Sequence, residues 1–226
     1  MTKLAVAAVA LAMSTGTLFG QSAVANRLDD AATVFNEVMA ASDKAIPQEL
    51  LDRAHCIVVV PGLKKGAFIF GAKYGRGFLS CRKKSGAGWT GPAAIRVEGG
   101  SFGFQIGGSE TDVIMLVMNE RGAQRLLSSK FTVGGDASVA AGPVGRTATA
   151  QTDAYMTAEI LSWSRSRGVF AGIALNGATL RPDQDANREM YGKPVDNKQV
   201  ITQEMAPPKM AEKLISLFNK YSSRRV

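Results

Sequence analysis

A single histidine, His55, and two cysteines, Cys56 and Cys81, are the only imidazole and thiols in this sequence. His55 directly precedes an apolar β-branched run and has no nucleophile motif beside it, so it reads as a structural or surface residue. The cysteines lie in predicted strands at a spacing that resembles no metal motif. They are either bridged to each other or small buried hydrophobes. The chain has no Gly-x-Ser-x-Gly elbow and no His-Glu-x-x-His helix. Ser80-Cys81-Arg82-Lys83 fits Ser-x-x-Lys by letter, but it falls in a strand and turn without the partner motifs. Gly66 and Gly71 have P-loop spacing, yet Ala72 stands where the phosphate-binding Lys is needed. Glu110 and Asp112 fall on one side of a strand, where they form either a carboxylate pair, usable for acid–base work or a cation, or a simple turn cap. These residues predict a non-enzyme with no metal and no cofactor.

What remains is positive charge. Lys and Arg outnumber Asp and Glu by 27 to 19, a net charge of +8, so the surface attracts anionic partners. Lys64-Lys65, Arg82-Lys83-Lys84 and Arg165-Ser166-Arg167 all sit at predicted hairpin tips. Lys209, Lys213, Lys220, Arg224 and Arg225 add a basic C-terminal helix and tail. Each basic group near an anionic membrane contributes on the order of 1 kcal/mol, so four or five together suffice for reversible docking. Lys64, Lys65, Arg82, Lys83, Lys84, Arg165 and Arg167 are therefore the predicted head-group contacts; the other reading is dispersed solubilising charge. Nucleic acid is not expected, because no aromatic residues are interleaved with the basic ones as a stacking surface requires.

The elements that must position these groups are read from periodicity. The stretch from Gly99 to Asn119 organises them: Phe102, Phe104 and Ile106 alternate with Ser101, Gly103 and Gln105, Gly107-Gly108 turns the chain, and Val113 to Met118 is apolar throughout. The second run reads as a strand buried on both faces in the middle of a sheet. Around it, strands are predicted at 56–60, ended by Pro61-Gly62, and at 67–74, 77–82, 93–98, 101–106 and 112–118, each bounded by Gly- or Lys-rich turns. Later strands are expected at 136–141, 147–152, 155–164 and 169–175, the last two joined around Gly168. Helices are predicted from Leu28 to Ser42, from Pro47, after an Asn119 N-cap, over 183–191, and after Pro207-Pro208. The implied fold is α+β: a twisted antiparallel sheet, or a partly closed barrel or sandwich, flanked by N- and C-terminal helices.

Residues 1–25 carry Lys3, an apolar run from Leu4, and a terminal Ala23-Val24-Ala25, the small-x-small pattern of a cleavable export signal. The mature chain would begin at Asn26 and form one domain over 26–226, with a core at about 28–180 and a helical extension at 181–226. Its place would be periplasmic or extracellular, peripherally associated with a membrane.

Five stretches resemble the SYLF domain family, whose members include the Ysc84-type actin-binding proteins. They are the 60–75 run Val-Pro-Gly-Leu-Lys-Lys-Gly-Ala-Phe-Ile-Phe-Gly-Ala-Lys-Tyr-Gly, then Gly-Trp-Thr-Gly-Pro-Ala, Gly-Gly-Ser-Phe-Gly-Phe-Gln-Ile-Gly-Gly, Ala-Ser-Val-Ala-Ala-Gly-Pro-Val-Gly-Arg, and Ser-Arg-Gly-Val-Phe-Ala-Gly-Ile-Ala-Leu-Asn-Gly. The resemblance implies binding of phosphoinositides and other anionic phospholipids, and in fungal members binding of actin filaments. An exported chain would not meet actin, so the lipid half carries over. In eukaryotic members a basic N-terminal amphipathic helix contributes to lipid binding; here Asp29, Asp30, Glu37 and Asp43 occupy that helix, and the hairpin tips and final helix are expected to substitute for it. An envelope scaffold or protein-interaction module is the alternative.

Overall fold

The Ser22 hydroxyl accepts the Ala25 N–H at 3.1 Å, satisfying a first-turn donor of helix α1 (Ala23–Ala40). Leu28, Ala32, Phe35 and Met39 recur every three or four residues along it and are buried. This is the helix expected from Leu28; it starts five residues earlier because Ser22 supplies the cap. Pro47, with no N–H to leave unpaired, precedes α2 (Gln48–Arg53). The structure, a computed structural model, describes residues 22–41, 46–67, 70–102, 107–145, 157–166, 169–173 and 175–222.

Four long antiparallel strands follow: β1 (Cys56–Ala67), β2 (Phe70–Cys81), β3 (Ala93–Phe102) and β4 (Gly107–Val117). Several predicted turns are in fact paired backbone. Lys64-Lys65-Gly66, Gly75-Arg76 and Gly107-Gly108 all lie in ladder register. Pro61-Gly62 does not end β1. The register shifts between Val60 and Leu63, a bulge that absorbs the proline's missing N–H, and Gly62 supplies a left-handed φ of +59°. A side chain at Gly77 would place its Cβ 2.2 Å from the Val59 carbonyl oxygen, so glycine there lets β2 close on β1. Gly103, Phe104, Gln105 and Ile106 lie outside the described residues, as does the strand expected at 147–152.

Asn119 caps α3 (Glu120–Leu126) as expected, its side chain accepting the Gly122 N–H at 2.7 Å. The chain then adds β5 (Phe131–Thr132), β6 (Val139–Ala141), β7 (Ile160–Ser166), β8 (Val169–Gly172) and β9 (Thr179–Pro182). The strand order is β5-β9-β3-β2-β1-β4-β7-β6, with β8 also on β7. The fold is α+β, a strongly curled sheet flanked by terminal helices, as the sequence predicts. One pair, β6 with β7, is parallel, so the sheet is mixed.

Both faces of the sheet are covered. Phe35, Phe78, Trp89, Trp163 and Phe218 fill the helix-side core, and Val58, Leu79, Met115, Phe131 and Leu180 the opposite one. That is why Val113–Val117 is apolar at every position: alternate residues enter different cores, each large side chain contributing about 2 kcal/mol. After β9 come α4 (Gln184–Tyr191), α5 (Asn197–Thr202), a 3₁₀ turn at Lys209–Ala211 and α6 (Glu212–Tyr221). No helix is predicted between 191 and Pro207, but Asp196 and Gln199 form a capping box that starts α5. α6 packs on α1 through Phe218 and Phe35, whose rings meet edge-on at 4.8 Å. Among the described residues no helix is long and apolar enough to cross a membrane.

Candidate functional site

The basic residues predicted to act together are dispersed by the fold. Lys64 and Lys65 sit within β1 rather than at a tip, opposite Tyr74 and Lys73 of β2 and Glu110 and Ser109 of β4. Neighbours along a strand face opposite sides of a sheet, so the two lysines point apart. Lys65 lies beside Lys73, and burial together with that like charge lowers the Lys73 pKa. Arg82, at the other end of the β1–β2 pair, is turned inward. Its guanidinium donates to the carbonyls of Leu51 and Ala54, each at 2.9 Å, and of Ser222 at 3.1 Å, and lies 4.4 Å from the Trp89 ring centroid. Arg165 is also inside a strand, paired with Asp112 at 2.8 Å and with Glu37. Arg167 lies outside the described residues, as do Arg224 and Arg225. The strand rise sets Lys65 and Lys83 on the order of 30 Å apart, so no single tip presents all of these charges.

Lys83 and Lys84 remain at a turn, and they border a groove of about 420 Å³. Ala123 and Leu127 near the end of α3, and Ile201 of α5, give it apolar walls; Glu120 and Glu204 stand at its edge, with Glu204 accepting the Lys84 N–H at 2.7 Å. Cys56 and Cys81 also line it. They are directly opposed in the β1–β2 register and are bonded to each other, their Cα atoms 4.0 Å apart. His55 lines the same groove. The sequence missed the acidic and apolar partners because α3 and α5 bring them in from far along the chain; only the capping signals at Asn119 and Asp196 hinted at the helices.

A second groove, of about 580 Å³, runs between α1 and the β1 bulge, lined by Arg27, Asp30, Gly62, Glu110, Asp112 and Arg165. Glu110 and Asp112 do share this side, as their spacing predicts. Asp112 accepts the Gly62 N–H at 3.0 Å and the Arg165 guanidinium, whereas Glu110 is exposed. Burial pushes the Asp112 carboxyl above the usual range, opposed by the Gly62 N–H. Asp112 thus braces the bulge against β7. Among the described residues no group of three or more His, Cys, Asp or Glu side chains is placed to hold a metal.

Comparison with known proteins gives this arrangement a family. LAS seventeen-binding protein 3 of Saccharomyces cerevisiae is 33% identical over 183 residues, covering 79% of this chain and 39% of the yeast protein. Protein YSC84 of the same yeast is 33% identical over 186 residues, 80% of this chain and 39% of its own length. The SH3 domain-containing YSC84-like protein 1 of Rattus norvegicus is 29% identical over 183 residues, 80% of this chain and 53% of its own. The chain thus spans about half or less of these relatives. Residues 98–221, just over half of the chain, match the Ysc84 family, described as Las17-binding protein actin regulators, and the chain belongs to that family, the one that carries the SYLF domain.

Proposed function

We propose that this domain binds anionic phospholipid reversibly at a membrane surface, without catalysis, and that residues 1–25 direct its export. The observation that carries the reading is the Lys83-Lys84 turn at the rim of a groove walled by Ala123, Leu127 and Ile201. Cations beside apolar lining suit a head group with its glycerol and first methylenes. Lys64, Lys65 and Arg167 are secondary contacts in this proposal, and Arg82 and Arg165, held by acceptors of the protein itself, serve the fold first. Flotation of residues 26–226 with vesicles of zwitterionic lipid, alone or with added anionic lipid, tests it at low and high salt. Binding is expected only with anionic lipid and is expected to fade as salt screens it. Lys83→Glu with Lys84→Glu should weaken it by about 30-fold or more, since each lost cation is worth on the order of 1 kcal/mol. Unchanged flotation of that double variant sinks the assignment.

The names of the relatives favour a second reading, a protein-interaction module. LAS seventeen-binding protein 3 is named for a protein partner, and the family description adds actin regulation. An exported chain would not meet actin. If the chain stays in the cytoplasm, cosedimentation with actin filaments that survives Lys83→Glu with Lys84→Glu, together with no flotation under any condition, supports this reading over the first.

A further inference from the structure

Directly opposed residues of adjacent antiparallel strands share one face of the sheet. The register sets Arg76 of β2 opposite Arg96 of β3, and Arg96 opposite Arg181 of β9, so three arginines stand abreast across three strands. Phe78 and Ala94, the next pair along that face, belong to the helix-side core, so the row borders the core and α1. From α1, Arg27 comes close enough to Arg76 that burial and this like charge lower its pKa. Like charges placed directly opposite destabilise a sheet, and a row of three breaks a rule that ordinary surfaces keep.

The outer two arginines have counter-charges. The Arg76 Nε lies 3.6 Å from Asp183 Oδ2, and the Arg181 Nε lies 3.4 Å from Glu98 Oε2. Arg96, between them, has no carboxylate within ion-pair distance among the described residues, and its Nε is buried without a hydrogen-bond partner. Asp183 is itself only 4% exposed, and its Oδ2 accepts no hydrogen bond. A buried guanidinium donor without an acceptor is costly to the fold, and buried donors in proteins nearly always have partners. An anion supplied from solution would complete it.

We propose that Arg96 is the centre of a site for a phosphate group, with Arg76 and Arg181 flanking it. The chemistry favours phosphate over a carboxylate. The planar forks of neighbouring arginines take phosphate oxygens in pairs, and a phosphate monoester carries nearly two negative charges at neutral pH with three acceptor oxygens. One carboxylate would answer Arg96 with two oxygens, whereas a phosphate has a third oxygen left for a flanking guanidinium, in a row whose three arginines face only the two carboxylates of Asp183 and Glu98. This site is separate from the Lys83-Lys84 groove and does not depend on the membrane reading; the phosphate belongs either to a lipid head group or to a soluble phosphoryl compound.

The test titrates inorganic phosphate and glycerol phosphate into the full chain at constant ionic strength, followed by calorimetry and thermal melting. Saturable binding that raises the melting temperature is expected. Arg96→Gln should weaken it at least tenfold while leaving the phosphate-free melting temperature equal or higher, because it relieves the repulsion. Arg96→Lys keeps the charge but loses the fork and should weaken binding severalfold; it carries the comparison if the Gln variant melts lower. No saturable binding by the unaltered protein, or equal binding by Arg96→Gln, overturns the proposal. Flotation with vesicles containing phosphatidic acid identifies the source: loss in Arg96→Gln points to a lipid monoester, and retained flotation with lost phosphate binding points to a soluble ligand. Loss of flotation in the Lys83→Glu, Lys84→Glu variant alone would bear on the membrane reading and leave this site intact.

Discussion

The Arg82 guanidinium gives its protons to three backbone carbonyls that end or follow helices, at Leu51, Ala54 and Ser222, and so ties α2 and α6 to the edge of β2. Removing it orphans those carbonyls and the stacking on Trp89. Arg82→Ala is expected to lower stability by about 3 kcal/mol in urea unfolding, and Arg82→Lys to restore less than half, because an ammonium cannot reach three acceptors in a fixed fork. Charge reversal at this residue would therefore abolish membrane binding by unfolding the corner, which is why Lys83 and Lys84 are the informative targets. Tyr191 has a different signature. Its hydroxyl donates to the Pro92 carbonyl at 2.9 Å, and burial raises its pKa above the ordinary value of 10.0. The folded chain then keeps a proton that the unfolded chain releases above pH 10. Its contribution is complete below that pH and is lost as pH rises, by up to about 1.4 kcal/mol per pH unit. Tyr191→Phe should be about 1 kcal/mol less stable at pH 8, and the gap should narrow between pH 10 and 11. A gap that stays constant over that interval would refute the assignment.

At the scale of elements, the Cys56–Cys81 bridge closes the first pair of the sheet across a sequence separation of 25 residues. Loop-closure entropy for that separation corresponds to about 3.5 kcal/mol. Cys56→Ser with Cys81→Ser should lose roughly that much in urea, and reductant should bring the parent protein to the same midpoint while leaving the variant unmoved. A reductant-insensitive parent would mean that the cysteines are unbonded. The element boundaries show what local sequence can and cannot carry. Helix caps at Asn119 and the prolines before α2 and α6 act within one turn, so they were legible. Pro61-Gly62 and the paired glycines were read as stops because each breaks a strand in isolation, whereas the partners β2 and β4 resume their pairing beyond the Pro61-Gly62 bulge and hold the glycines in the ladder. β9 is four residues long and exists as a strand because β3 and β5 pair with it on either side.

For the whole molecule, fold class and family were legible because they rest on periodicity and on motifs that keep their order along the chain. The site was not. Lys64 and Lys65 are adjacent in sequence and opposite in space, Arg82 and Arg165 turn to internal partners, and the Arg76, Arg96 and Arg181 row exists only through register. Where the molecule works depends on its first residues, and here the proposed export signal makes a physical demand. The expected cleavage after Ala25 falls inside α1, whose Ser22 cap and buried Val24 lie upstream of the cut. Losing the cap costs about 1 kcal/mol and losing the buried valine about 2, so residues 26–226 should be roughly 3 kcal/mol less stable than residues 22–226. Docking of α1 on α6 through Phe35 and Phe218 is what keeps the shortened helix in place. The full chain, expressed in a bacterial host, should yield a periplasmic product whose mass begins at Asn26 and whose urea midpoint matches the shorter form. An exported product that keeps Ser22 to Ala25 would overturn cleavage after Ala25, whereas one found only in the cytoplasm would place the protein among reduced thiols, where the Cys56–Cys81 bridge would not persist and a cytoskeletal partner becomes the reading to pursue.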